Sequence, residues 1–202
     1  ETLVAFDTTS RNSNLALIEC VRDELATLGV SARLFHSPDG AKANLFATLP
    51  ASNGETQGGI VLSGHTDVVP VDGQQWSTNP FALTEKGGRL YGRGSCDMKG
   101  FIAASLALVP EFLATQRARP VHLAFSYDEE IGCAGAPVMI NQLKAEGARF
   151  DGCVVGEPTS MQVVVAHKGI NLYSCREHAK AAHSSHTTPG SKAIEYAARL
   201  IC

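Results

Sequence analysis

The spacing of apolar positions changes along this chain, and each change marks an element. From Asn14 to Leu28 they recur every three or four residues, placing Ile18, Val21, Leu25 and Leu28 on one helical face. Asn12 or Ser13 can cap the start of that helix, and Gly29 can close its end. Short strands are predicted at Ser31–Phe35 and Asn44–Thr48, each bounded by turn residues. Gly59–Gly64 is a short apolar run of the buried-strand type. The helical period returns, Ala-rich, over Met98–Ala114, entered through the glycine-studded segment Tyr91-Gly92-Arg93-Gly94. Val121–Phe125 and Cys153–Val155 read as two more buried strands, with a helix near Ala136–Lys144 between them. Strands alternating with helices predict an α/β fold, a sheet covered by helices on both faces.

After about Val163 the pattern shifts. Gln162–Ala166 and Ile170–Arg176 read as β-strands turning near Lys168-Gly169, and Ser191–Cys202 places Ile194, Ala197, Ala198 and Ile201 on one face of a last helix. That helix stops without a C-cap, a glycine or a polar tail, so the chain is expected to be a piece of a longer protein.

Composition narrows the classes. The chain has 202 residues, 44% of them hydrophobic and 18% charged, an ordinary globular balance for one domain with part of another. With 17 Lys and Arg against 20 Asp and Glu the formal charge is -3, and no basic run offers a nucleic-acid footprint. No apolar stretch has the length of a membrane helix, and no secretory leader is visible at the start. The six cysteines are scattered without a C-x-x-C pair, which fits reduced thiols in a cytoplasmic protein.

Four segments share one design, an apolar strand or tight loop followed at once by metal-type ligands. They are Ser63-Gly64-His65-Thr66-Asp67, Gly94-Ser95-Cys96-Asp97-Met98, Tyr127-Asp128-Glu129-Glu130 and Gly156-Glu157-Pro158-Thr159. Each alone has a plain reading: a hydrogen-bonded surface pair, a helix cap, a solvated turn, a loop residue before proline. Their repetition at successive strand ends is harder to dismiss, because sites in open α/β sheets form outside the carboxyl ends of strands. Imidazole nitrogen and carboxylate oxygen suit zinc and its relatives. In an extended segment His65 and Asp67 point the same way, so the Asp67 carboxylate can accept the proton on the far ring nitrogen of His65. Adjacent Glu129 and Glu130 point to opposite sides if extended, so one can bind metal while the other handles protons.

These segments, with Gly92-Arg93-Gly94 leading to Asp97-Met98-Lys99-Gly100, resemble in order the signature set of the M20 metallopeptidase family. The resemblance implies a zinc-exopeptidase-like catalytic domain, with a mixed central sheet flanked by helices, over residues 1–168. It implies the start of an inserted α+β lid and dimerisation domain over 169–202. Two divalent metal ions are implied, zinc first, with cobalt or manganese able to replace it. Carried over, His65 and Glu157 bind one metal, Glu130 binds the other and Asp97 bridges them. Asp67 orients His65, and Glu129 is the general base. His183, in Ala181-Ala182-His183-Ser184-Ser185, matches the lid histidine that assists the oxyanion across a homodimer. The family's last metal ligand, a histidine far toward the C-terminus, has no counterpart here, so the 202 residues alone are expected to be poorly active.

The reaction implied is metal-assisted hydrolysis of an amide in a small N-acylated amino acid, with no nucleic acid or membrane as partner. Val68-Val69-Pro70-Val71-Asp72-Gly73 and Tyr127–Cys133 look most like the family branch that deacetylates N-acetyl-L-ornithine, a step of arginine biosynthesis. Desuccinylases, N-acetylcitrulline deacetylases and dipeptidases share the metal set and are the nearest alternatives. A serine hydrolase built on Ser184, Ser185 and His183 lacks a G-x-S-x-G elbow, and the Gly92–Ser95 loop lacks the P-loop lysine spacing. A metal-binding relative without activity would have no chemical need for Glu129.

Overall fold

The computed structural model describes residues 1–166, 168–169, 174–180 and 193–201. They divide into two compact units, Glu1–Gln162 and Val163–Cys202. The first is built on a five-stranded sheet. Its strands are β1 (Ala32–His36), β2 (Ala43–Leu49), β3 (Ile60–His65), β6 (Val121–Ser126) and β7 (Gly152–Val155), in spatial order β1-β2-β6-β3-β7. β1 and β6 each pair antiparallel with β2, whereas β3 pairs in parallel with both β6 and β7. A separate hairpin joins β4 (Thr84–Lys86) to β5 (Arg89–Tyr91).

The two-residue period of the strands sorts side chains onto two faces. Leu45, Ala47 and Leu49 of β2, with Leu123 and Phe125 of β6, pack with Leu17, Ile18, Val21 and Leu25 of α2 (Leu15–Thr27). Leu3 of α1 (Thr2–Ala5), Ile102 of α3 (Lys99–Ala107) and Val109 of α4 (Val109–Ala114) complete that layer. Phe46, Val61 and Ala124 face the other way, toward Met139 and Leu143 of α5 (Ala136–Ala145). The mixed sheet with helices on both faces is thus present. Each fully buried Leu or Ile contributes about 1.5–3 kcal/mol to holding the layers together.

α2 shows how local signals set its limits. Gly29 has φ +74, the left-handed conformation that glycine adopts freely, and Val30 N–H bonds back to the Leu25 carbonyl. The buried Val30 then packs in the same cluster as Leu25. At the other end Asn14 occupies the cap position without a side-chain cap bond. Its amide instead bridges the Ala43 backbone and Thr66 Oγ1, while Ser13 Oγ accepts the Leu15 N–H.

Three expectations need correction. The helix over Met98–Ala114 is two helices, because Pro110 lacks an N–H and its ring excludes the carbonyl four residues earlier. Gln162–Ala166 is not a strand; among the described residues nothing pairs with it, and Val163 and Val165 are exposed. Of Ile170–Arg176, residues 170–173 lie outside the described set and 174–176 carry no strand. In the second unit α6 (Ala193–Ile201) forms within the predicted helix Ser191–Cys202, and residues 191, 192 and 202 lie outside the described set. Among the described residues no helix is long and apolar enough to cross a membrane.

Candidate metal centre

Because β3, β6 and β7 run parallel, their carboxyl ends open on one edge. His65 ends β3, Asp128-Glu129-Glu130 follows β6 after Tyr127, and Gly156-Glu157 follows β7. Asp97 reaches the same place from the turn ahead of α3. Two glycines permit this approach. A side chain at Gly156 would meet the Phe101 ring at 2.0 Å, and one at Gly94, with φ +80, would meet Val68 at 2.7 Å.

His65 is 2% exposed. Its Nδ1–H donates to the main-chain carbonyl of Asp67 at 2.9 Å, which turns Nε2 toward the carboxylates. Asp97 Oδ1 lies 3.0 Å from Nε2, Glu157 Oε1 3.7 Å and Glu129 Oε2 3.9 Å. Ligand atoms of His65, Asp97 and Glu130 fall within 4.8 Å of one another, and so do those of His65, Glu129 and Glu157. The other three expected ligands, Asp97, Glu130 and Glu157, and the expected base Glu129 therefore stand around the His65 imidazole.

Asp67 acts differently from the expectation. Its carboxylate is 3.5 Å from Nδ1, and the short bond to the ring comes from its carbonyl. The carboxylate instead accepts the Ser10 hydroxyl at 2.7 Å, the Glu129 N–H at 3.0 Å and the Glu130 N–H at 3.2 Å. The tautomer of His65 is still fixed, through the main chain, and the carboxylate holds the turn that carries the two glutamates.

The electrostatics suit a cation. Burial opposes charge on His65, but Asp67 and then Glu157 outweigh it and push the imidazole up to about 9. Burial likewise opposes charge on Asp67, yet the adjacent His65 ring, with bonds from Ser10 and the Glu129 N–H, holds its carboxyl below the usual range. Glu130 is pushed up by burial and then by Asp97, with His65 opposing. Glu157 is pushed up by burial first, with Asp97 and Glu129 adding to the rise against His65. Carboxylates that raise one another's protonation around a single imidazole are stabilised by a divalent ion in their midst. One nitrogen and several oxygens is a donor set for zinc, cobalt or manganese.

Sequence reasoning missed the groups that brace this site. Ser10 bonds Asp67, Thr8 Oγ1 donates to the Thr66 carbonyl, Asn14 donates to Thr66 Oγ1, and Lys42 pairs with Asp128. Their partners lie far away in the chain, so no local pattern marks them. His183, with Ser184 and Ser185, lies outside the described residues.

Known proteins resemble this chain in sequence and fold. The chain is 40% identical to an acetylornithine deacetylase of Proteus mirabilis over 192 residues, 95% of this chain and 48% of that protein. It is 37% identical to one of Pasteurella multocida over 195 residues, 96% of this chain and 49% of that protein. The chain thus spans about half the length of the curated relatives it matches. Human carnosine dipeptidase 1 superposes with a TM-score of 0.63 at 24% identity, over 76% of this chain and 36% of its own. An M20 family metallo-carboxypeptidase of Sulfolobus solfataricus superposes with a TM-score of 0.64 at 22% identity, over 77% of this chain and 35% of its own. These two likenesses concern the fold. Residues 61–200 match the profile of Peptidase family M20/M25/M40, and the chain belongs to that family.

Proposed function

We propose that this chain carries most of the metal-binding and proton-transfer groups of an amidohydrolase that removes the acetyl group from N-acetyl-L-ornithine. The observation that carries the chemistry is the pinned His65 ring, whose Nε2 faces carboxylates at the carboxyl edge of three parallel strands. The substrate rests on the 40% identity to an acetylornithine deacetylase.

In this reading His65 and Glu157 would hold one divalent cation and Glu130 a second, with Asp97 shared between them. Bound ions, zinc first and cobalt or manganese in its place, would acidify a water molecule and polarise the acyl carbonyl. Glu129 takes the proton from the attacking water and passes it to the departing amine nitrogen. Its carboxylate, within 3.9 Å of His65 Nε2, stands beside the ligands and is braced through its own N–H by Asp67. We assign residues 169–202 to the beginning of a lid that pairs two copies of the protein, with His183 donating to the developing oxyanion. A distal histidine beyond these residues would complete the ligand set, and the protein would work in the cytoplasm.

The test is amine release by the intact gene product from N-acetyl-L-ornithine, N-succinyl-diaminopimelate, N-acetylcitrulline and a dipeptide, with and without chelator. Turnover that favours N-acetyl-L-ornithine and disappears with chelator is expected. Chelator-sensitive turnover that favours another amide would overturn the substrate and keep the chemistry. Turnover indifferent to chelator would overturn both. The 202 residues alone should show little of the intact protein's activity.

A further inference from the structure

Lys42 stands just ahead of β2, and its ammonium makes two bonds at 2.5 Å, to the Ser10 carbonyl and to Asp128 Oδ1. The pair is enclosed, with side chains 15% and 13% exposed, so it is not one of the solvent-screened surface contacts that contribute little. Its two acceptors lie on different segments that both serve the site. Ser10 donates its hydroxyl to Asp67 Oδ2, and Asp67 accepts the N–H groups of Glu129 and Glu130. Asp128 directly precedes those glutamates and has φ +56, a left-handed conformation that a few residue types, Asp among them, adopt at modest cost. The bonds therefore close a ring, from Lys42 through Ser10 and Asp67 to the glutamate turn, and back through Asp128 to Lys42.

We propose that Lys42 is a positioning residue for the turn that carries Glu129 and Glu130, an inference that rests on the proposed function. Asp67 fixes the turn from its N–H side, and Lys42 fixes it at the residue where the chain reverses. Without the ammonium, Asp128 keeps a charge with no partner in an enclosed place and tends to swing toward water. The Glu129 carboxylate would swing with it, and an error of about 1 Å in such a group can cost about 10²-fold in rate.

The experiment compares the intact protein with Lys42→Met, Asp128→Asn and the double variant. It measures kcat, KM, metal content and thermal midpoint for each. Lys42→Met is expected to lower kcat about 10²-fold while KM stays within about threefold, the mark of a loss confined to the transition state. Metal content should match that of the unsubstituted protein. Asp128→Asn keeps the side-chain shape and the tolerance for left-handed backbone, and should lower kcat in the same way. The double variant should be no slower than the slower single one, because both changes cut the same ring. An unchanged kcat in a folded Lys42→Met protein would overturn the inference, as would losses that multiply in the double variant. If Lys42→Met does not fold, the kcat of Asp128→Asn decides in the same way. Absence of chelator-sensitive turnover in the unsubstituted protein would overturn the proposed function instead, and this inference with it.

Discussion

Glu129 and Glu130 are neighbours in the chain and neighbours at the site, yet their surroundings differ. Glu130 groups with His65 and Asp97, and burial with the nearby Asp97 pushes its carboxyl up. Glu129 groups with His65 and Glu157 and accepts from the Cys133 thiol. Replacing Glu129 with Gln would remove the proposed proton acceptor and keep the shape. The variant should keep its metal while kcat falls about 10²–10⁴-fold. Metal analysis and steady-state rates on one preparation check this, and loss of a metal ion would mean that the two glutamates exchange roles. At this scale the residues that cluster around His65 were legible in the sequence, because strand ends announce themselves by pattern. What braces them was not. Nothing near Ser10 or Lys42 indicates that either will meet Asp67 or Asp128, since those contacts exist only once the sheet has formed.

Elements were legible where a single local cause decides them. Gly29 ends α2 as expected, and the five strands of the sheet formed within a residue or so of their predicted limits. The break between α3 and α4 was also written in the sequence, as Pro110, but the Ala-rich period masked it. The hairpin β4–β5 turns at Gly87-Gly88, both with positive φ, a pair that favours a tight turn; its strands are too short and exposed to show a pattern. β6 carries a prediction of its own. His122 Nε2–H donates to the Gly58 carbonyl, and Nδ1 accepts from Thr48 Oγ1, so the buried ring is held neutral. Burial depresses its folded pKa below 6.5, against the Gly58 bond. The unfolded chain therefore takes up the proton first, and stability present above pH 6.5 is lost as the pH falls below it. Urea unfolding of the unsubstituted protein and His122→Gln should show the native advantage shrinking on the acid side of pH 6.5. An advantage independent of pH would refute the assignment.

For the whole molecule, the sequence foretold a layered α/β body, and what it left open was strand order. That order depends on pairings between distant segments, such as β2 with β6 and β6 with β3, which no local period encodes. The α5 face also holds an apolar groove of ≈ 470 Å³, lined by Val61, Met139, Leu143 and Phe150 among others. Among its described lining residues there is no carboxylate or imidazole, so the cluster around His65, not this groove, is the candidate for the chemistry.

The parallel register also has a kinetic consequence. Ile60 must find Val121, and Ser63 must find Val155, before the edge that gathers the ligands exists. His65, Asp97, Glu130 and Glu157 come from four separate stretches, so an unfolded chain offers a cation no partial nest. Metal would then arrive after the slow, long-range search is over and could not speed it. It would act on the way out, slowing escape from the native state and stabilising it by about 2.7 kcal/mol at a hundredfold excess over Kd. Stopped-flow traces with zinc and with chelator should share one refolding limb and diverge in the unfolding limb. Faster refolding with zinc would place the ion in the folding nucleus instead.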